Sequence, residues 1–555
     1  MHKRTIYTTL ITILLPLLFV GCGGGSSDEP LLQSTLENTS FTSTHFSGSQ
    51  NCATCHNTIK DINQEDVSIE SDWAGTMMAN SSKDPLWRAK VASELKRNPK
   101  IEDVINDKCT KCHAPMANYE AHYISDEIKI FDDGFLNPQN LHFNEAMNGV
   151  SCSLCHQIDA TNLGTLDGFS GHYTINSNRE MYGQYGDSND TAINQTPMQN
   201  TLNYTPTYAQ HITESKMCAA CHNLKTPFVD ANGDVNSTTP ESEFPEQMPY
   251  TEWEHSDFNS TTPKSCQECH MQRADGVVIS NRPDNGSLPA RDNFARHNFV
   301  GGNKLMLDIL NQNRTALGVN PNANFTKILT RTEELLNNTA TIALDKRVNG
   351  TTLSIDVNIS INTGHKFPTS FPSRRAFIHL TLYDENNNTL FESGKVDTNG
   401  SIEGADSDID SSTFEPHYDV ITAENQVQIY EAVMQNTDNE VTYTLLRAAS
   451  YIKDNRLLPR GFDKNSVPND IAVIGNAKNS DSNFIGGSDM LTYDINSTNF
   501  TTAPHHVIVK LKYQTLAYPF AEDLFKDVNE SQSFKSMFEA SEMKTITISE
   551  GNLTL

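Results

Sequence analysis

Ten of the chain's eleven cysteines fall into five copies of one frame, in which two cysteines three apart are followed at once by a histidine. The copies are CATCH (Cys52, Cys55, His56), CTKCH (Cys109, Cys112, His113), CSLCH (Cys152, Cys155, His156), CAACH (Cys218, Cys221, His222) and CQECH (Cys266, Cys269, His270). This spacing suits one chemistry. Two thiols three residues apart reach the two vinyl groups of a single haem, and the next residue swings an imidazole onto its iron. The Cys and His content predicts roughly 0.007 such frames by chance, against five present. Zinc sites gather four ligands from paired motifs and require no His after every second Cys. Disulfides, permitted outside the cytosol, do not select that His either. Five covalent haems c are therefore expected, with His56, His113, His156, His222 and His270 as proximal iron ligands.

An iron that shuttles electrons without binding substrate needs a second axial ligand. Apart from His2 and the five motif histidines, the chain offers His45, His122, His142, His172, His211, His255, His297, His365, His379, His417, His505 and His506. His211 reads as lying on a helix that leads into Cys218, and His142 has a similar lead-in to Cys152. His172 and His297 have glycines nearby, which let backbone approach a large flat cofactor. His45 lies just before the first motif. His365, in INTGHKFPTSFPSRR, sits at a strand end, with Pro368 and Pro372 stiffening the loop that presents it. Met77 and Met78 could ligate iron or pack in the core. His255 stays open between ligand and ordinary residue, and Trp253 beside it is placed to stack on a macrocycle.

The elements that position these residues differ along the chain. From about 48 to 302, Gly, Pro, Asn and Asp are frequent and helical patterns short, as in DPLWRAKVASELKR, where Asp84 and Pro85 suit a helix start. Such a segment cannot build an ordinary side-chain core, so haems must supply the apolar mass, packed close enough for electrons to hop. Residues 303–339 read as a helical connector with VNPNAN as its turn. Beyond it the period changes from 3.6 to 2: Leu353, Ile355, Val357, Ile359 and Ile361 alternate, AFIHLTLYD and HVIVKLKYQ do the same, and Asn386–Asn388 mark a hairpin. The expected class is α+β multidomain: a mainly α and irregular haem-packed domain (48–302), then an antiparallel β-sandwich (340–555). DANGD (230–234) and DTNGSIEGADSDID (397–410) hint at calcium but lack the full loop pattern, so solvated turns are the simpler reading.

The first residues are not fold. Lys3 and Arg4 precede an apolar stretch too short to span a bilayer comfortably, and LLFVGCGGGSSDEP follows. This resembles a bacterial lipoprotein signal (1–21) with Cys22 as the lipidated residue and 22–47 as a tether; the alternative is an ordinary signal peptide with an incidental Cys. The resemblance implies export and an outer-membrane anchor facing the periplasm or the cell surface, with the membrane contacted through lipid alone. A net charge of −28 argues against nucleic acid and anionic membrane surfaces as partners.

The motifs and their flanks, DPLWRAKVASE, CTKCHAPM, GVSCSLCHQI, HITESKMCAACHNLKTP, FPEQMPYTEW and SCQECHM, resemble the bacterial multihaem cytochromes c of the cytochrome c-554 type. GHKFPTSFPSRRAFIHLTLYD, QVQIYEAV and KDNRLLPRGFD resemble a domain appended to them. The resemblance implies electron transfer along five haems, with redox proteins or a terminal acceptor as partners. Its alternative is an oxidoreductase acting on a small nitrogen or sulfur compound at one open iron, where Arg374 and Arg375 could bind an anion or simply pair with propionates or acidic side chains. Nitrite reductases of this group use a C-x-x-C-K haem, which the chain lacks, and hydroxylamine oxidoreductases carry more motifs than five.

Overall fold

A computed structural model describes residues 36–186, 193–237, 239–282 and 288–555. The signal, Cys22 and most of the tether lie outside the described residues.

Up to about residue 302 the backbone is held by short helices and small ribbons. Each C-x-x-C-H frame forms a helical turn: at the end of Ser49–Ala53, at the end of Glu102–His113, and in Cys152–Cys155, Ser215–His222 and Cys266–His270. That conformation follows from the chemistry, since it puts the two thiols of a frame on one side. The long helix of this half, Pro85–Arg97, starts as its sequence dictates: Asp84 accepts from the Leu86 N–H at 2.9 Å, and Pro85 occupies the first turn. Apolar contacts form several small clusters. One joins Leu154 of the third motif to Ala220 and Cys221 of the fourth, with Phe46, Met116 and Tyr173 around them.

Lys304–Gln312, Arg314–Leu317 and Phe325–Asn337 form the helical segment that follows. They share an apolar cluster with Trp73, Leu86 and Ala89 of the first half and with two helices near the C-terminus, Tyr518–Phe525 and Val528–Ala540. Period-2 reasoning overlooked this last pair. Phe520 and Leu524, then Phe534 and Phe538, are spaced for a helix face. They cover Pro85–Arg97, where Arg97 meets Asp523 at 2.6 Å and Asp527 at 2.7 Å.

From residue 340 two sheets face each other. In one, Thr352–Ile361 lies between Ala340–Asn349 and Ser488–Asn496, antiparallel to both, and Val420–Ile421 joins the far edge in parallel. In the other, Arg375–Asp384 lies between Ile429–Gln435 and Pro504–Gln514, with Ser450–Asp454 and Ile546–Thr554 outside them. Thr389–Ser393 pairs back on Arg375–Asp384 across the Asn386–Asn388 turn. Leu353, Ile355, Val357, Ile359 and Ile361 are buried against Ile378, Leu380, Leu382, Val507, Val509 and Leu511 in one core. The loop between Thr352–Ile361 and Arg375–Asp384 carries His365 out of this core toward the first half.

Candidate functional site

None of the ten motif cysteines is joined to another by a disulfide. Burial pushes Cys155 up to about 12, and Cys109 is raised for the same leading reason. Cys52, Cys218 and Cys221 are raised foremost by hydrogen bonds with Cys152, Cys266 and Cys112, then by burial. Their partners Cys152 and Cys266 are lowered, foremost by the same hydrogen bonds.

Four of the five motif imidazoles are oriented by a backbone carbonyl. The Nδ1 of His56 lies 2.7 Å from the Ile279 oxygen, that of His113 3.2 Å from Ser81, that of His156 2.5 Å from Tyr182, and that of His270 2.6 Å from Val300. A proton held on Nδ1 leaves Nε2 as the free lone pair, the arrangement by which proteins aim a metal-ligating His. Burial lowers all five, His113 and His270 to about 4, so the rings are neutral and able to ligate. Trp87 stacks on His113 with ring centres 4.8 Å apart and planes 8° from parallel.

Two of these rings face a second imidazole. His270 and His365 have centres 6.1 Å apart and planes 13° from parallel; His156 and His297 are also 6.1 Å apart, at 24°. Two imidazoles sharing a metal, each nitrogen about 2 Å from it and each ring centre about 1 Å behind its nitrogen, would have centres about 6 Å apart. The Nδ1 of His365 lies 2.9 Å from the Lys366 carbonyl, again leaving Nε2 uncommitted. The residues present therefore fit haem c.

Both facing histidines stand on loops anchored by the basic residue beside them. Arg296 meets the fully buried Asp72 through Nε at 3.0 Å, and Lys327 meets the same carboxylate at 2.5 Å. Lys366 meets buried Asp454 at 2.7 Å. Gly364 passes so near the aromatic rings of Trp253 and Phe258 that a Cβ there would lie 3.2 Å from each. Trp253 thus abuts the His365 loop, donating its Nε1–H to the Lys264 carbonyl at 2.9 Å.

The other candidates are placed elsewhere, and among the described residues none of them faces a motif imidazole. His211 is buried with Nε2 2.9 Å from the Ile158 carbonyl and its ring edge-on to Tyr182; its segment, Gln210–Thr213, is a separate turn from Ser215–His222. His142 is buried just before Phe143–Met147, with Nε2 3.4 Å from Asp126. The Nδ1 of His45 lies 3.1 Å from Glu120, with Tyr119 and Tyr123 around the ring. His172 is exposed, and neighbouring Gly171 lies against Lys111 and Cys112. His255 directs Nδ1 to the Thr251 carbonyl at 2.9 Å. Met77 packs in the apolar cluster under the connector helices. Buried Arg375 is held bidentate by Asp408 at 2.6 and 2.8 Å, while Arg374 donates to the Thr369 carbonyl at 3.1 Å.

Neither acidic loop gathers a cation cage. Asp230 accepts from the Asn232 and Asp234 N–H groups, Asp234 pairs with Lys100, and Asp408 is committed to Arg375. A buried cluster that sequence reasoning missed, His417, Asp481 and Asp489, is hydrogen-bonded instead. The Nδ1 of His417 accepts from the Gln428 and Asn455 amides, whose oxygens are fixed by the Tyr418 and Glu431 N–H groups. Its proton is thereby on Nε2, directed at Asp481 2.9 Å away, where a metal would have to bind.

The motifs touch in a definite pattern. Ser49–Ala53 packs on Cys152–Cys155, and Ser215–His222 packs on Cys266–His270. The Gly171 N–H donates to the Ala220 carbonyl at 2.7 Å, a Cβ on Gly171 would lie 3.5 Å from the Cys112 sulfur, and Cys112 hydrogen-bonds Cys221, linking the fourth motif to the second. With the shared cluster of the third and fourth motifs, the order of contact is first, third, fourth, and the fourth also touches the second and fifth.

No family model matches the chain, and no curated protein does. Among solved structures it is similar to a penta-heme cytochrome c552 from Thermochromatium tepidum, with a TM-score of 0.51 and 15% identity over 92% of this chain and 99% of that one. Coverage of that extent takes in both halves. The chain has a multihaem-cytochrome-like α+β fold.

Proposed function

We propose that this chain is a pentahaem c-type cytochrome that passes electrons along its haems at the cell envelope. The observation that carries the reading is the five C-x-x-C-H turns, four with their imidazole aimed through Nδ1 and two facing a second imidazole at the separation an iron requires. The likeness to a penta-heme cytochrome supports it. Cys52, Cys55, Cys109, Cys112, Cys152, Cys155, Cys218, Cys221, Cys266 and Cys269 would hold the porphyrins by thioethers. His365 would complete the fifth iron and His297 the third. When bound, haem supplies one-electron chemistry; the chain's part is to hold each iron, close it against substrate and exclude water. In this reading residues 48–302 wrap the haems and 340–555 form a β-sandwich that lends the fifth haem its ligand. Export through the N-terminal signal, lipidation of Cys22 and exchange with redox proteins or a terminal acceptor complete the proposal. Among the described residues no helix is long and apolar enough to cross a membrane.

A pyridine haemochrome assay should give five haems per chain, and EPR of the oxidised protein should show low-spin iron. Fewer than five haems would overturn the cofactor assignment. His365→Ala should turn one haem high-spin; five low-spin irons with unchanged potentials would refute the ligand assignment.

One place favours a second reading, a reductase or oxidase with an open iron. Among the described residues His222, like His56 and His113, faces no second imidazole; unlike theirs, its Nδ1 has no carbonyl partner, and the positive charge of Arg374 acts on it. A high-spin component near one haem in five in the unmodified protein would select this reading.

A further inference from the structure

Four charged side chains meet out of reach of water beside His365. Glu252 and Lys366 are 0% exposed, Asp454 2% and Arg456 7%. Arg456 grips Asp454 through Nε at 2.9 Å and Nη2 at 2.7 Å, and the Lys366 ammonium reaches the same carboxylate at 2.7 Å. The Nη1 of Arg456 lies 2.9 Å from Glu252. Two anions and two cations balance, the condition under which buried charge is tolerated. Glu252 is the member from the first half, on Pro249–Glu254, next to Trp253. Its second oxygen accepts from the Lys366 N–H at 3.1 Å and the Thr369 hydroxyl at 2.6 Å, so it clasps the loop immediately beyond His365.

Well-packed apolar side chains would often stabilise such an interface at least as well as buried ion pairs. A fixed, neutral set of charges one residue from a candidate iron ligand does something apolar packing cannot. We propose that this cluster is an electrostatic tuning device: it sets the reduction potential of the haem held between His365 and His270. The proposal rests on the reading of His365 as an axial ligand. An oxidised haem iron carries one more positive charge than a reduced one. Removing the negative charge of Glu252 therefore favours the reduced haem, and removing the positive charge of Lys366 favours the oxidised one. A cluster that served packing alone would not produce opposite shifts. If either substitution merely loosened the loop, His365 would leave its iron and high-spin haem would appear.

The test is a spectroelectrochemical titration, with EPR, of holoprotein carrying Glu252→Gln or Lys366→Met. Both variants should stay low-spin, with one midpoint potential of the five raised in the first and the same one lowered in the second. The shift expected for losing one buried charge near the haem is roughly a tenfold change in the oxidised-to-reduced ratio, about 59 mV for a one-electron couple. Asp454→Asn, a second loss of negative charge, must raise that potential too, and it serves as a check should Lys366→Met fail to incorporate haem. Shifts of one sign in Glu252→Gln and Lys366→Met, no shift, or an unchanged or lowered potential in Asp454→Asn would each overturn the proposal. His365→Ala, measured alongside, separates the two failures. If it yields one high-spin haem while the charge variants shift nothing, the cluster proposal alone falls; if it changes nothing, the ligand assignment falls and the cluster proposal falls with it.

Discussion

Replacing Asp72 with Asn should destabilise the protein by about 3 kcal/mol and disturb one haem in particular. Asp72 is fully buried at the end of Ile69–Trp73 and is the common partner of Arg296, through Nε at 3.0 Å and Nη2 at 3.2 Å, and of Lys327 at 2.5 Å. Removing one partner of a buried ion pair strands the other, at a cost of about 3–5 kcal/mol. Two features favour the lower end. Arg296 keeps Glu65, half-exposed, at 3.0 Å, and Lys327 is partly exposed and can turn to water. The stranded guanidinium adjoins His297, which faces His156. Its movement should therefore release one axial imidazole as well as lower stability. Urea unfolding of the holoprotein measures the first effect and EPR the second. A loss below about 1 kcal/mol would show that the pair does not anchor this loop. A loss of the expected size with every haem still low-spin would refute the claim that Arg296 places His297.

Two further perturbations test the surroundings of the motifs. Glu246, buried on Phe244–Gln247, is raised by that burial from 4.5 to about 7, so between those values the folded state binds more protons than the unfolded one. Its contribution to stability is complete below about pH 4.5 and is lost as pH rises to about 7, on the order of 3 kcal/mol; Glu246→Gln should flatten this dependence in urea midpoints compared between pH 5 and pH 8, and an unchanged slope would count against it. Asp84→Ala removes the cap of Pro85–Arg97 and should lower stability by about 1–2 kcal/mol, with a change in the absorbance of the haem on His113, which Trp87 of that helix stacks against.

The five C-x-x-C-H frames were legible because the chemistry they imply is local. Two thiols and an imidazole serving one haem must be close in sequence, and the five frames announce themselves. The turns that form them, the cap at Asp84 and the alternation from Leu353 to Ile361 obey equally local rules. Opposing imidazoles obey none. His211 lies seven residues before Cys218, where the sequence reads as a lead-in helix, yet its Nε2 meets a backbone carbonyl. His297 and His365 face motif histidines 141 and 95 residues away in the chain, joined by tertiary packing alone. The buried pairs that steady them were beyond reach for the same reason. Lys366 and Arg296 read as ordinary surface charges until Asp454 and Asp72 are brought to them. The C-terminal helix pair was hidden by a different fault: the alternation on both sides of it invited one period for the whole segment.

If the first half wraps haems as proposed, these two anchors give the second half a role. A segment with short helices and scattered apolar clusters can fix a proximal imidazole, because the thioethers and the next residue in sequence do so. It has little with which to hold a distal one at a set distance across a porphyrin. Each facing histidine here borrows rigidity from outside: His297 through Arg296 and Asp72, under the connector helix that supplies Lys327, and His365 through a loop rooted in two strands of the buried core. Charges do the holding in both cases, and both sets are buried, where solvent and salt screen them least. On the proposed reading, the groups that fix the geometry would therefore also act on the iron's charge. Removing one charge of such a set should then move the potential of the neighbouring haem, with a sign that follows from the charge removed.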